Sequence, residues 1–231
     1  MRRRMAVALI VLPVLYAAAA YVLAPLAWDF IDRSSPVPDT SPRLTETADH
    51  RPGDPLNVML IADEARLTAA MLAAGWTAAD PLGVRSALDI AADIMLDRPY
   101  AAAPVSRLYL FGRAEDLAFE KPAGPDPKTR HHVRLWRLAE TAGEGAPRFI
   151  GAVSFDKGIG FSRETGQLTH HISAEVDRER DGLRNDLERT GLVTRSVLEP
   201  GFHPVLSGRN GGGDSWVTDG ALWIGTLAAT P

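Results

Sequence analysis

The sequence predicts an α+β domain, with a largely antiparallel sheet and about three packed helices, preceded by one transmembrane helix. Three observations lead to this class. An uncharged apolar segment lies near the start of the 231-residue chain, five segments after Pro104 read as strands, and three other segments carry apolar residues at helical spacing. Strands and helices that occupy separate parts of a chain are typical of α+β domains.

Composition narrows the function classes. The chain is 45% apolar and 23% charged, which is ordinary for a globular protein. Its formal charge of -4 argues against a general nucleic-acid binder, because such proteins need a cationic surface. The chain has no cysteine, so disulfides, thiolate metal sites and cysteine nucleophiles are excluded. Composition identifies no cofactor and no oligomeric state.

The N-terminal segment predicts a membrane anchor. Residues 1–4 carry three arginines, and Met5–Trp28 follows without a charge. As a helix, this segment would span ~36 Å, enough for a hydrocarbon core of ~30 Å. The arginines favour a cytoplasmic N-terminus, so we expect a single pass through the inner membrane and a periplasmic domain. The alternative is a signal peptide cleaved after the small residues Ala18–Ala20, which also exports the domain.

The exported part begins with a spacer. Residues 29–52 are polar and rich in proline, which is typical of a semi-extended linker, and residues 53–231 form the predicted globular domain. A strand is predicted over Leu56–Ile61. A helix should follow from the capping residue Asp63 to residue 74, and a second helix is predicted over residues 80–98.

The remaining elements are mainly strands. Five are predicted after Pro104, in SRLYLFG, DLAFEK, RHHVRLWRL, RFIGAVSF and GQLTHHI, and their short connections favour antiparallel pairing. The third helix is predicted in EVDRERDGLRNDLERTG. A strand at Leu192–Leu198, a glycine-rich loop and the strand ALWIGTL complete the domain.

Four of the six histidines occur as two adjacent pairs, His131–His132 and His170–His171. Neighbouring side chains of a strand point to opposite faces, so at most one histidine of each pair can join a shared site. His170 is in phase with Ile172 and is predicted to face inward, whereas the phase of the first pair is undecided. If the two strands are neighbours, the sequence allows a two-histidine site. The alternative is that each inward histidine is a hydrogen-bonded core residue.

These histidines and nearby carboxylates are the candidates for catalysis and metal binding. Imidazole and carboxylate groups suit acid/base chemistry or a divalent ion, although no fixed-spacing motif such as H-E-x-x-H is present. The catalytic candidates are His131, His132, His170, His171 and Asp177. The metal-ligand candidates are His170, His132, Asp177 and Asp156.

A second set of residues predicts an anion site. Arg180 lies on the apolar side of the third helix, and a partly buried arginine needs an acceptor such as a carboxylate or a phosphate. The loop Gly208–Asp214 could present backbone amides to an anion, or it is only a tight loop that needs glycine. The ligand-binding candidates are Arg134, Arg180, Arg209, Asn210 and Asp214.

A family resemblance comes from the order of several motifs. APVSRLYLFGRAEDLAFEKP is followed by RHHVRLW, by THHI with EVDRERD, and by GRNGGGD with VTDG. Over Pro52–Leu227 this pattern resembles the LssY-like C-terminal domain family of bacterial envelope proteins. The resemblance implies a function in the cell envelope that is related to lipids or to a membrane. It assigns a catalytic role to no residue of this chain.

Three functions fit these observations. The leading hypothesis is a membrane-anchored periplasmic domain that binds an anionic or phosphate-bearing envelope ligand. The second is a metal- or histidine-dependent phosphoester hydrolase that uses the same residues. The third is a non-catalytic partner-binding module of an envelope or secretion complex.

Overall fold

A computed structural model describes residues 43–79, 108–124, 129–141, 146–162 and 168–228, together with Leu15, Ala19 and Leu23. Apart from those three positions, the predicted membrane segment Met5–Trp28 lies outside the described residues, and so does the helix predicted over residues 80–98. Among the residues that are described, no helix is both long and apolar enough to cross a membrane.

The larger sheet has eight strands. They are β3 (Val58–Ile61), β4 (Thr77–Ala78), β7 (Leu117–Pro122), β8 (Arg130–Thr141), β9 (Pro147–Phe161), β10 (Leu168–Ile172), β11 (Val193–Glu199) and β14 (Leu222–Leu227). Their order is β11-β14-β3-β9-β8-β7-β4, and β10 pairs with the far end of β9. Every pair is antiparallel except β14 with β3, which is parallel.

Two smaller sheets complete the β-structure. One has the order β2-β1-β5-β6 and consists of β1 (Leu44–Glu46), β2 (Pro52–Pro55), β5 (Tyr109–Leu110) and β6 (Arg113–Ala114). The other is the hairpin of β12 (Ser207–Arg209) and β13 (Ser215–Val217). Strand β1 and the first residue of β2 lie in the segment predicted to be the spacer.

The described residues form two helices, α1 (Glu64–Ala73) and α2 (Val176–Arg189). Helix α1 begins where the sequence predicts, because the side chain of Asp63 accepts a hydrogen bond of 2.9 Å from the amide of Arg66. Helix α2 covers the predicted third helix and has no side-chain cap at its start.

The prediction of an α+β domain with about three packed helices is wrong. Strands predominate in the described residues, and the two helices have only ten and fourteen residues. The main physical reason is the length of β8 and β9, which have 12 and 15 residues. Strand β9 continues through DKGIGF because Gly160 has no side chain and leaves room for the ring of His171 in β10. A Cβ atom at residue 160 would lie 2.8 Å from Nε2 of His171.

The register of β8 and β9 separates two faces of the larger sheet. Arg130, His132 and Arg134 lie opposite Asp156, Ser154 and Ala152, so these six residues share one face, which we call the network face. The alternate residues of β8 form the helix face. The core of the helix face includes Leu60, Leu67, Met71, Phe119, Val133, Leu135, Leu183, Leu187 and Trp223. A smaller core, Leu56, Leu108, Leu110, Trp136, Ile150 and Ala152, lies on the network face.

Candidate functional site

The centre of the network face is a row of three buried side chains, Asp156, His132 and Ser154. Nδ1 of His132 lies 3.1 Å from Oδ1 of Asp156, and Nε2 of the same ring lies 2.9 Å from Oγ of Ser154. The pairing of β8 with β9 positions all three, because His132 lies directly opposite Ser154 and next to the pair of Arg130 and Asp156. The long strands therefore bring an imidazole, a carboxylate and a hydroxyl into one row.

Two buried arginines extend this row. Arg130 holds Asp156 through Nε at 3.3 Å and Glu120 through Nη1 at 2.7 Å, and its Nη2 lies 3.3 Å from Nε2 of His170. Arg134 Nη1 lies 2.6 Å from Nε2 of His132. A guanidinium can only donate, so Nε2 of each histidine accepts. We call Asp54, Glu120, Arg130, His132, Arg134, Ser154, Asp156 and His170 the histidine network.

Burial and charge set the protonation of the network. Burial alone would raise the pKa of Asp156, but His132, His170 and Arg130 hold that pKa well below its usual value. Burial raises the pKa of Glu120, against the opposing effect of Arg130. Burial lowers the pKa of His170 to about 4, although Asp156 acts in the other direction. At neutral pH, Asp156 is therefore charged and His170 is neutral.

The glycine-rich loop reaches the network through one side chain. Asn210 Nδ2 lies 3.3 Å from Oδ1 of Asp54, and Oδ2 of Asp54 accepts a hydrogen bond of 3.0 Å from Ser154. The loop amides are used within the protein: Gly211 donates to the carbonyl of Pro52, Gly213 to the carbonyl of Asn210, and Gly212 and Asp214 to the side chain of Asn210. The loop is thus a tight turn rather than a cradle of amides for an anion. Arg209 is exposed and, within the described part of the chain, forms no ion pair.

The other histidine of each pair, His131 or His171, points away from the network. His131 Nδ1 lies 2.5 Å from Oε2 of Glu179, so this pair joins β8 to α2 on the helix face. His171 Nδ1 lies 3.0 Å from Oδ1 of Asp214, and the other oxygen of this carboxylate accepts a hydrogen bond from the amide of Ile172. Both contacts connect one element to another.

Arg180 and Asp177 form a separate cluster. Arg180 is buried and donates to both carboxylate oxygens of Asp219 at 2.7 and 3.0 Å, and also to Asp181, Asp177 and the carbonyl of Ala221. Asp177 in turn accepts hydrogen bonds from Thr218 Oγ1 and from the amide of Asp219. The hydrogen bonds to Asp219 raise the pKa of Arg180 against the effect of its burial. The acceptors of Arg180 are carboxylates and one backbone carbonyl of the protein, and those of Asp219 and Ala221 attach the start of α2 to the loop before β14.

The structure therefore divides the candidates. It brings together His132, His170, Asp156 and Arg134, with Asn210 attached through Asp54. It places His131, His171, Asp177, Arg180, Arg209 and Asp214 elsewhere. Among the described residues, no group of three or more His, Asp or Glu side chains is arranged to hold a metal ion.

Four residues of the histidine network are not among the candidates predicted from the sequence: Asp54, Glu120, Arg130 and Ser154. Three of them carried a signal, because Arg130 is in strand phase with His132, Ser154 is in phase with Asp156, and Glu120 lies in a predicted strand. Asp54 carried none, since it lies just past the predicted spacer and its contacts depend on how β2 packs.

The comparisons with known proteins give one match. The family model described as LssY C-terminus matches residues 38–222. No curated protein and no solved structure matches the chain.

Proposed function

Since the chain belongs to the LssY C-terminus family, we propose that it is a membrane-anchored periplasmic domain that binds an anionic, phosphate-bearing envelope ligand. The uncharged segment Met5–Trp28 behind three arginines supports the anchor and its orientation. The observation that carries the ligand proposal is the contact between Arg130 and His170, at the most exposed end of the described histidine network.

His170 differs from the rest of the network in its exposure. It is half-buried, whereas Arg130, His132, Ser154 and Asp156 are buried. A ligand that approaches the network therefore meets His170, with the guanidinium of Arg130 3.3 Å behind its Nε2. Arg130 donates to Asp156, Glu120 and His170, so a phosphate oxygen would bind the guanidinium by replacing Nε2 of His170 as the acceptor of Nη2.

The charge of the network predicts how an anion would bind. Two arginines and three carboxylates, Asp54, Glu120 and Asp156, leave one net negative charge when both imidazoles are neutral. A phosphate adds to that negative charge. Protonation of His170, whose pKa is about 4, and of Glu120, whose pKa is raised, would offset it. Binding should therefore take up protons, and the affinity should rise as the pH falls from about 7 to about 5.

The test is calorimetric titration of the full chain in detergent with inorganic phosphate and glycerol 3-phosphate. We expect proton uptake, seen as a heat that differs between buffers of different ionisation enthalpy. His170→Gln should weaken binding by about tenfold, the value of one charge-assisted hydrogen bond. His50→Gln is the matched control, because His50 is 80% exposed. Equal affinities in the wild type and His170→Gln would contradict the proposal.

A second candidate function is histidine-dependent phosphoester hydrolysis. It is favoured by the sequence of contacts from Ser154 Oγ through His132 to Asp156, which is the order of a nucleophile, a base and an orienting carboxylate. Against it, Arg134 donates to the same Nε2 atom, the Ser154 hydroxyl donates its proton to Asp54, and the three groups are buried. A panel of phosphodiesters and phosphomonoesters tests it, and activity that survives both His132→Ala and His170→Ala would exclude it.

A further inference from the structure

The hairpin of β5 and β6 has an unusual turn. Tyr109 pairs with Ala114 and Leu110 with Arg113, so the turn consists of Phe111 and Gly112. Both have positive φ, 55° and 73°. Turns of this kind favour Asn-Gly, and a bulky side chain at positive φ is rare because it is strained. Phe111 is also 60% exposed, so packing within the domain does not offset the strain.

This turn lies beside β1, the first strand of the described residues. Strand β1 is antiparallel to β5, with Glu46 opposite Tyr109. The residues after Tyr109 therefore run beside those before Glu46, which places Phe111 near Leu44 and the preceding Arg43. Fourteen residues, 29–42, separate the uncharged segment Met5–Trp28 from Arg43. Fourteen residues reach at most ~50 Å.

A second exposed apolar group lies in the loop that Arg43 contacts. The guanidinium of Arg43 lies 4.2 Å from the ring centroid of Phe202 and donates to the carbonyl of that residue. Three and four residues later, Val205 and Leu206 are 60% and 51% exposed. The side chain of Leu206 stays close to this loop, since it lies beside Gly220, whose carbonyl accepts from the amide of His203.

We propose that Phe111, Val205 and Leu206 form a membrane-contact surface that rests on the phospholipid bilayer beside β1. This inference rests on the membrane anchor of the proposed function. Aromatic and aliphatic side chains at a protein edge partition into the bilayer interface. A second copy of the chain is a poorer occupant, because three side chains cover far less than the roughly 1,200 Å² of a stable protein interface.

Because the chain has no cysteine, a single introduced cysteine can be labelled without removing any native one. The full chain is reconstituted in vesicles of phosphatidylethanolamine and phosphatidylglycerol, with and without nitroxide-labelled lipid. An environment-sensitive fluorophore is attached to Phe111→Cys, Val205→Cys or Leu72→Cys. Leu72 is the matched control, because it is 54% exposed and lies on α1, which packs on the helix face.

Nitroxide lipid should reduce the fluorescence at positions 111 and 205 by about twofold or more and leave position 72 unchanged, because only a surface in the bilayer interface approaches the quencher. Phe111→Asp should reduce the quenching at position 205, whereas Leu72→Asp should not. Failure of the full chain to float with the vesicles would overturn both the anchor and this surface. Flotation with equal quenching at positions 111 and 72 would overturn the surface alone. Ligand binding is measured separately by calorimetry, so neither result decides whether the domain binds a phosphate-bearing ligand.

Discussion

Asp156 is the residue on which the charges of the network face depend. It is fully buried and contacts both Arg130 and His132. Asp156→Asn keeps the shape of the side chain but leaves Arg130 with one carboxylate partner, Glu120. We expect a loss of about 3–5 kcal/mol in the free energy of unfolding, as when one partner of a buried ion pair is removed.

Chemical unfolding of the full chain in detergent measures this loss. The control is Glu188→Gln, because Glu188 forms a partly exposed pair with Arg184 and should cost less than about 1 kcal/mol. If both variants lose the same free energy, the network does not hold Asp156 as described.

His170 predicts a pH dependence of stability. Its pKa is about 4 in the folded chain, below the ordinary value of ~6.5 that it regains on unfolding. The unfolded chain therefore binds more protons between these values, so stability should fall as the pH decreases from about 6.5 to about 4. For a half-buried group, this loss should be about 2–3 kcal/mol.

His170→Gln should remove that part of the dependence, because glutamine can still accept from Arg130 and does not titrate. Urea unfolding at several pH values between 7 and 4 measures the difference from the wild type. His50→Gln should leave the wild-type slope unchanged, since His50 is exposed. A His170→Gln variant with the full wild-type slope would show that His170 is not held neutral by burial.

The residue chemistry was only partly readable from the sequence. Strand alternation predicts that each histidine pair divides between two faces, and the structure shows His132 and His170 on the network with His131 and His171 away from it. The phase of His132 was undecidable because both faces of β8 carry apolar residues, and the structure has a core on each face. Arg180 was expected to need an acceptor, but a sequence cannot distinguish a phosphate from Asp219, which is 39 residues away.

At the scale of elements, Asn57 fills a gap in the larger sheet. It precedes β3, at the point where the edge of β9 passes from β3 to β10. Its amide side chain accepts from the amide of Val153 at 2.9 Å and donates to the carbonyls of Val153 and Val176 at 3.0 and 3.2 Å. One side chain therefore satisfies the backbone of β9 and holds the first turn of α2.

Asn57→Ala should destabilise the chain by about 3 kcal/mol or more, because it leaves three buried backbone groups without this partner. Asn185→Ala on the exposed side of α2 is the control and should change the free energy of unfolding by no more than about 0.5 kcal/mol. Thermal or chemical unfolding measures the change in the free energy of unfolding for both variants. Equally small changes in the two variants would contradict the role assigned to Asn57.

Elements with strong local signals were predictable, and elements that depend on distant partners were not. Helix α1 begins after its predicted cap Asp63, and α2 follows the predicted apolar spacing. Strand β9 runs beyond its predicted end because β10 pairs with its glycine-containing half. Strand β1 was not predicted, since three residues within a proline-rich segment become a strand only by pairing with β2 and β5.

At the scale of the whole molecule, two long strands determine where the chemistry lies. Strands β8 and β9 separate a helix face, which α1 and α2 cover, from a network face that collects the charged and imidazole side chains. Under the proposed function, the His170 end of that face binds the ligand, and the corner at Phe111 and Arg43 faces the membrane. The ligand site and the membrane contact would then belong to one domain, whose larger core lies on the helix face.

Histidine-resolved NMR of the full chain in detergent tests the ligand site most directly, because each of the six histidines can be assigned with a single His→Gln variant. Addition of glycerol 3-phosphate should shift the imidazole resonances of His170 and His132, with His170 moving toward its protonated form. The signals of His131 on the helix face and of the exposed His50 should stay unchanged. Unchanged His170 and His132 signals, or equal shifts at His50, would contradict a ligand site at the histidine network.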